Sequence, residues 1–271
     1  MKLFKNIVRY VLIALLAATI VYLIWLRGQY VVPILMYHHV KPGTIKELNT
    51  VTPKSFERQM KFLSKYGYKV LSLDEYMAIK KNGGKFSRNS VVITFDDGYE
   101  DNYIYAYPVL KKFNFSATEF IISDLVGKKT LLSWDQIKQM RKGKIIIGSH
   151  TRNHRYLPNT IEEELKDEIA GSKKVIEAHL GGKVDYIAYP TGGFTEEVKE
   201  LVKAAGYVAG FTTNRGHDRS NTDLFELKRI RMNNYDNWLT LFAKYSGYYN
   251  VYRQLKKPYN DDDALGIVYK Q

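Results

Sequence analysis

The run Ser90-Val91-Val92-Ile93-Thr94-Phe95 is apolar without alternation and stops abruptly at Asp96-Asp97-Gly98. A strand with one wet face alternates polar and apolar residues, so a short run without alternation needs cover on both sides. Ile145-Ile146-Ile147-Gly148 repeats the pattern and leads to His150 and His154. Strands of this kind belong to parallel sheets sheathed by helices, and the rest of the chain supplies the helices. Phe56, Met60 and Leu63 share a helical face that Gly67 ends. Ser72 with Glu75, and Ser133 with Gln136, read as capping boxes. Further helices are predicted near 101–113, 161–180 and 195–205, and strands over 33–37, 68–71, 91–95, 117–122, 145–148, 186–189, 207–212 and 227–231. The alternation predicts an α/β fold, a distorted barrel of strands and helices without internal repeat or interdomain linker.

Each charged motif follows a strand, the place where barrel active sites are built. Asp-Asp-Gly alone reads as a turn with a solvated acid, and a His-x-x-x-His pair alone reads as surface. Together they offer one carboxylate and two imidazoles for a metal with an open position, and a spare carboxylate to take a proton. The chain has no cysteine, so disulfides and thiolate ligands are excluded.

Residues 10–26 carry no charge; Lys2, Lys5 and Arg9 precede them and Arg27 follows. About 17–20 apolar residues cross a bilayer, and basic residues before the span favour an inside N-terminus. The run exceeds a secretory h-region of about 7–15 residues and lacks a small-x-small site beyond it. Residues 1–27 are therefore expected to be an uncleaved signal anchor, with a cleaved signal peptide as the alternative, and 28–271 a catalytic domain outside a membrane crossed once. The formal charge is +13, of which +9 remains beyond the anchor. Such a domain suits anionic surfaces such as wall polymers or lipid headgroups, beside the reading of a solvated basic surface with no dedicated partner; no nucleic-acid partner is expected of a chain held outside the membrane.

The sequence resembles polysaccharide deacetylases of the NodB-homology type, carbohydrate esterase family four, over residues 33–235. The resemblance rests on Thr94-Phe95-Asp96-Asp97-Gly98, Ser149-His150-Thr151-Arg152-Asn153-His154 and Ala188-Tyr189-Pro190-Thr191-Gly192. It implies a barrel of about seven strands, a divalent cation (zinc first, then cobalt, nickel or manganese) and removal of acetyl groups from glycans. It also implies Asp96 as general base, Asp97, His150 and His154 as metal ligands, and the Thr191 backbone N–H as oxyanion donor. Trp134 matches a tryptophan near the substrate groove, where it either stacks on a sugar face or serves as a buried anchor, and Tyr37, Tyr189 and Pro190 are expected to line the site.

Two departures stand out. The third motif has Ala188 where the family often carries an arginine that orients the base; Arg229 and Arg231 are candidates to replace it, beside the reading that both are surface residues. No histidine follows the last strand to protonate the leaving amine. Met36-Tyr37-His38-His39 looks like the poly-N-acetylglucosamine deacetylase subgroup, where the histidine strand is permuted to the front. That makes His38 the general acid, a role for which an ordinary histidine pKa is suited, and His39 a structural hydrogen-bonder. His179 and His217 read as surface residues, and the aromatic stretch Tyr235–Tyr252 as a face packed on the barrel. The expected activity is metal-dependent N-deacetylation of an N-acetylglucosamine polymer. An O-acetyl esterase and an inactive, membrane-tethered glycan-binding protein are the alternatives.

Overall fold

The computed structural model describes residues 2–43, 49–213, 220–249 and 251. The chain begins with helix α1 (Lys2–Gly28), exposed along its apolar length, and enters β1 (Ile34–Tyr37) after five residues. Short strands β2 (His39–Val40) and β3 (Thr50–Val51) precede α2 (Pro53–Lys65), β4 (Lys69–Leu71), α3 (Leu73–Lys81) and β5 (Ser90–Phe95). Then follow α4 (Tyr107–Phe113), β6 (Ala117–Ile121), α5 (Trp134–Lys142), β7 (Ile145–Ser149), α6 (Glu162–Lys166) and α7 (Ser172–Leu180). The chain continues through β8 (Tyr186–Ala188), α8 (Glu196–Ala204), β9 (Ala209–Thr212), β10 (Leu227–Lys228), β11 (Ile230–Arg231) and α9 (Trp238–Tyr245).

Nine of these strands form one parallel sheet in the order β10-β9-β8-β7-β6-β5-β1-β11, with β4 on the lower edge of β5. β10 pairs with β9 and β11 with β1, so the single stretch 227–231 joins the two ends of the sheet. Counting β10 and β11 as one stave and setting β4 aside, seven staves surround the barrel, as expected.

Alternate residues of each stave face opposite layers. Val91, Ile93 and Phe95 pack outward with Phe56, Met60 and Leu110 of the helices. Val92 points inward with Ile34, Phe120, Ala188 and Phe211. Leu73, Tyr76 and Met77 join this inner cluster, so α3 plugs the barrel at the end where the strands begin. Both capping boxes form, Ser72 with Glu75 and Ser133 with Gln136, and Gly67 stops α2 at a positive φ of 68°.

The segments expected as simple helices at 101–113 and 161–180 each contain a π turn, Asn102–Ala106 and Asp167–Gly171. π turns insert one residue into a helix and concentrate at functional sites; both of these lie behind the charged motifs. The C-terminal aromatics divide: Tyr245 is buried, whereas Tyr235, Trp238 and Phe242 are exposed, so α9 packs by Leu241 and Tyr245 and shows most of its rings to the outside. Tyr252 and the residues after it lie outside the described residues.

Candidate active site

Asp96 and Asp97 leave the C-terminal end of β5, and the backbone turns sharply between them. Asp97 has a φ of 74° and Gly98 of 71°. A non-glycine residue in this left-handed region costs about 1 kcal/mol or more and persists only where its surroundings hold it. The turn sends the two carboxylates apart.

Asp97 meets the two histidines. Its Oδ1 lies 3.4 Å from His150 Nε2 and 3.3 Å from His154 Nε2, and one donor atom from each of the three residues falls within 4.8 Å of the others. His150 Nδ1 donates to the Ala188 carbonyl at 2.8 Å, which fixes its tautomer and turns Nε2 toward Asp97. Two imidazoles and one carboxylate converging with unshared donor atoms fit a divalent cation. Burial opposes charge on Asp97, but His150 and the other histidines outweigh it and hold the carboxyl below its ordinary range. Burial, aided by His150, pulls the His154 pKa down to about 4, so its imidazole is neutral at pH 7, the form that ligates metal.

Asp96 has a different partner. Arg229, buried with it inside the barrel, donates from Nη1 to Oδ1 at 2.6 Å and from Nη2 to Oδ2 at 2.7 Å. Arg229 is itself held by Nε–H to the Thr212 carbonyl at 3.1 Å. Burial pushes the Asp96 pKa up, but the guanidinium overcomes it and keeps the carboxyl below its ordinary value. An arginine from the stave that closes the barrel thus meets Asp96 where Ala188 offers no charged side chain. The surface reading fails for Arg229; Arg231 is exposed, with its carbonyl taken by Lys244.

His38 follows β1 and senses Asp96, Asp97, Arg229 and Arg231. Burial lowers its pKa, against the pull of the two carboxylates, so the ordinary value expected from sequence does not hold. His39 turns away: its Nδ1 lies 2.6 Å from Asp101 Oδ2, and its ring stacks on Tyr99 at 3.5 Å. Thr191 occupies the tight turn Pro190–Gly192 at a φ of 53°. The next residue must be glycine, because a Cβ on Gly192 would sit 2.3 Å from Thr213 Oγ1.

These features agree with three comparisons. A polysaccharide deacetylase family model matches residues 83–210. The Bacillus subtilis (strain 168) protein YxkH, which carries a provisional polysaccharide deacetylase name, is 38% identical over 200 residues, covering 74% of this chain and 71% of its own. This chain belongs to the polysaccharide deacetylase family. Poly-beta-1,6-N-acetyl-D-glucosamine N-deacetylase of Staphylococcus aureus is 30% identical to it over 214 residues, 74% of this chain and 73% of that protein. Among solved structures, the Streptococcus pyogenes deacetylase PplD in complex with acetate superposes with a TM-score of 0.73 at 30% identity, covering 79% of this chain and 97% of that one. IcaB from Ammonifex degensii gives 0.72 at 26% identity, covering 80% and 97%.

The deacetylase fold corrects several expected groove residues. Tyr37 is buried on the outer face of β1, stacked on Phe95 at 5.4 Å, with its hydroxyl donating to Gln59 Oε1 at 2.7 Å. Tyr189 is buried as well and donates to the Phe225 carbonyl at 2.7 Å; Pro190 beside it is buried too. Neither tyrosine has a face for substrate, because adjacent residues of a strand point to opposite layers. Trp134 is half-buried and lies flat on exposed His179, ring centroids 3.9 Å apart and planes 5° apart, so one indole face is taken. His217 lies outside the described residues.

Sequence reasoning missed two acids. Glu168, in the second π turn, accepts the Arg152 and Asn153 backbone N–H groups at 3.0 and 2.9 Å and Asn153 Nδ2 at 3.0 Å. It clamps the loop between the two histidines, where Thr151 and His154 both have positive φ. Its signal was a charge on the inward stripe of that helix, three residues after Leu165. Glu119, in the middle of buried β6, accepts from Asn102 Nδ2 at 3.2 Å, and burial drives its pKa well above the ordinary carboxylate value.

Proposed function

We propose that this chain is a divalent-metal-dependent N-deacetylase of N-acetylglucosamine polymers, exopolysaccharide or peptidoglycan. Residues 1–27 would anchor it in a membrane crossed once, and residues 28–271 would act outside the cell. The observation that carries the reading is the division of labour between the two aspartates. Asp97 converges with two imidazoles, while Asp96 is held by an arginine and left to accept a proton. The relative named poly-beta-1,6-N-acetyl-D-glucosamine N-deacetylase supports the substrate class.

Asp97, His150 and His154 would hold the cation; a carboxylate with two imidazoles suits zinc, and cobalt, nickel or manganese can substitute. Such an ion supplies Lewis acidity to the acetyl carbonyl and makes water a better nucleophile near neutral pH. Asp96 takes the proton of the attacking water. Arg229 fixes both carboxylate oxygens, so the base is aimed before substrate arrives and costs no reorganisation in the transition state. Negative charge developing on the acetyl oxygen meets the Thr191 N–H. His38 gives a proton to the departing nitrogen as the C–N bond breaks, leaving acetate and the free amine of glucosamine. Burial keeps His38 weakly basic, so its protonated form is scarce and a strong donor.

That scarcity supports a second reading, an O-acetyl esterase, whose better leaving group depends less on the acid. Acetate release by the purified full chain from N-acetylglucosamine oligomers, with zinc, with cobalt and after chelation, tests the main reading beside Asp96→Asn. Release that needs metal and disappears in the variant is expected. Release from O-acetylated glycans alone, unaffected by His38→Ala, would transfer the site to esters.

A further inference from the structure

The end of the barrel opposite the site has its own chemistry. Every pair in the large sheet is parallel, so strand entries and helix exits gather at the end that α3 plugs. The N-terminal helix is fastened to that same end. Tyr30, two residues beyond Gly28, donates its hydroxyl to the Ser87 carbonyl at 2.9 Å, and Val31 N–H donates to the Gly247 carbonyl at 3.0 Å. Two residues reach at most about 7 Å, so the loop holding Ser87 stays beside the end of α1. β1 then runs away from α1, and His38 stands at its far end.

Lys85, Arg88, Lys144 and Lys183 precede strands at this end, Lys69 opens β4 there, and all five are exposed. Among the described residues none of them is ion-paired with a carboxylate. The exposed cations in the last turns of α2, α4, α5 and α8 (Lys65, Lys111, Lys142 and Lys203) add to the same face. Those complement helix dipoles and need no other reason; the five strand-entry cations lie outside the helices and have no dipole to answer. Most carboxylates there are engaged: Asp74 accepts the Tyr186 hydroxyl at 2.6 Å, Glu75 closes the cap of α3, Glu177 pairs with Lys173, and Asp223 and Glu226 pair with Lys199; Asp185 stands just before β8.

We propose that this basic end docks on the anionic phospholipid headgroups of the membrane that holds α1, and so turns the active site away from the bilayer toward the polymer. The proposal rests on α1 being a bilayer anchor. Headgroups are favoured over a free polyanion because α1, in a bilayer, holds the loop of Lys85, Ser87 and Arg88 next to the lipid surface, and basic residues are drawn to anionic headgroups over about one Debye length, 8–10 Å.

The test uses the full chain in vesicles of phosphatidylcholine, alone or mixed with phosphatidylglycerol, with reaction of each lysine toward an amine reagent followed by mass spectrometry. Lys69, Lys85, Lys144 and Lys183 are expected to react several-fold more slowly in the anionic vesicles at low salt and to recover at high salt. Lys128 and Lys129, beside the site, should be unchanged. A chain with Lys69→Glu, Lys85→Glu, Lys144→Glu and Lys183→Glu should lose the protection at Lys65 and Lys142 while keeping acetate release; if it fails to fold, the comparison of lipids on the native chain decides. Equal rates in both vesicles from a chain that resists alkaline extraction would overturn the docking alone. Extraction of the chain by alkali would overturn the anchor and the docking with it. Equal protection in phosphatidylcholine vesicles by soluble polyphosphate would assign the face to a free polyanion.

Discussion

The two ends of this barrel are built from the same staves and do opposite things with them. At the end where strands finish, Asp97, Thr151, His154 and Thr191 all adopt positive φ, and a buried guanidinium meets a buried carboxylate. At the end where strands begin, α3 fills the opening with Leu73, Tyr76 and Met77, the surface is basic, and positive φ occurs at Asn114, Lys144 and Asn221, none of which belongs to the site. The difference teaches where strain is tolerated. Conformations that cost energy survive where a network over-determines them, and here Glu168, Ala188 and Thr212 supply that network through bonds to the loops and to Arg229.

The largest expected effect tests whether the strained end exists to hold a cation. Asp97→Ala should remove stoichiometric metal, measured by elemental analysis, and lower kcat/KM on the order of a thousandfold, the worth of several kcal/mol of electrophilic assistance. A variant that keeps its activity without metal would erase the distinction between the two ends. Next comes Arg229→Met, which leaves Asp96 buried and unpaired. Chemical denaturation should show a loss of about 3–5 kcal/mol, and adding Asp96→Asn should recover part of it. Additive losses in the double variant would mean that the pair is not coupled.

A smaller effect belongs to Glu168→Gln. Loosening the loop that carries His154 should weaken zinc affinity by about 10–100-fold in a chelator competition, with little change in fold. Affinity equal to that of the native chain would show that the strained loop holds itself. The smallest effect belongs to Glu119. Its folded pKa is raised, so the unfolded chain loses that proton first, and stability should fall as pH rises above the ordinary glutamate value of 4.5. Glu119→Gln removes the titration, so the gap in Tm between variant and native chain should widen in the variant's favour from pH 5 to pH 8. A constant gap would mean that Glu119 is ionised inside the fold.

Much of this was legible from residues alone. Apolar runs without alternation marked the staves, and Ser72, Ser133 and Gly67 marked helix ends, because caps are local chemistry. The ligand set was legible because strand ends deliver their residues to one face. Tyr37 and Tyr189 misled because closeness to a motif in sequence says nothing of which layer a side chain enters; one residue along a strand reverses it. Arg229 was one of two candidates, beside Arg231, and only the closure of the barrel brought it across 133 positions to Asp96.

The sequence by itself determined the parallel α/β alternation, the apolar N-terminal helix, and one carboxylate of Asp96-Asp97 with His150 and His154 as a converging set, the family resemblance singling out Asp97. Those follow from periodicity and from the few residue types that ligate metal. Tertiary structure alone decided that Arg229 pairs with Asp96, that Glu168 clamps the histidine loop, and that the basic strand entries share a face with the end of α1. Each of these depends on which distant segments the sheet register brings together, and register is set by packing of the whole barrel rather than by any local stretch of chain.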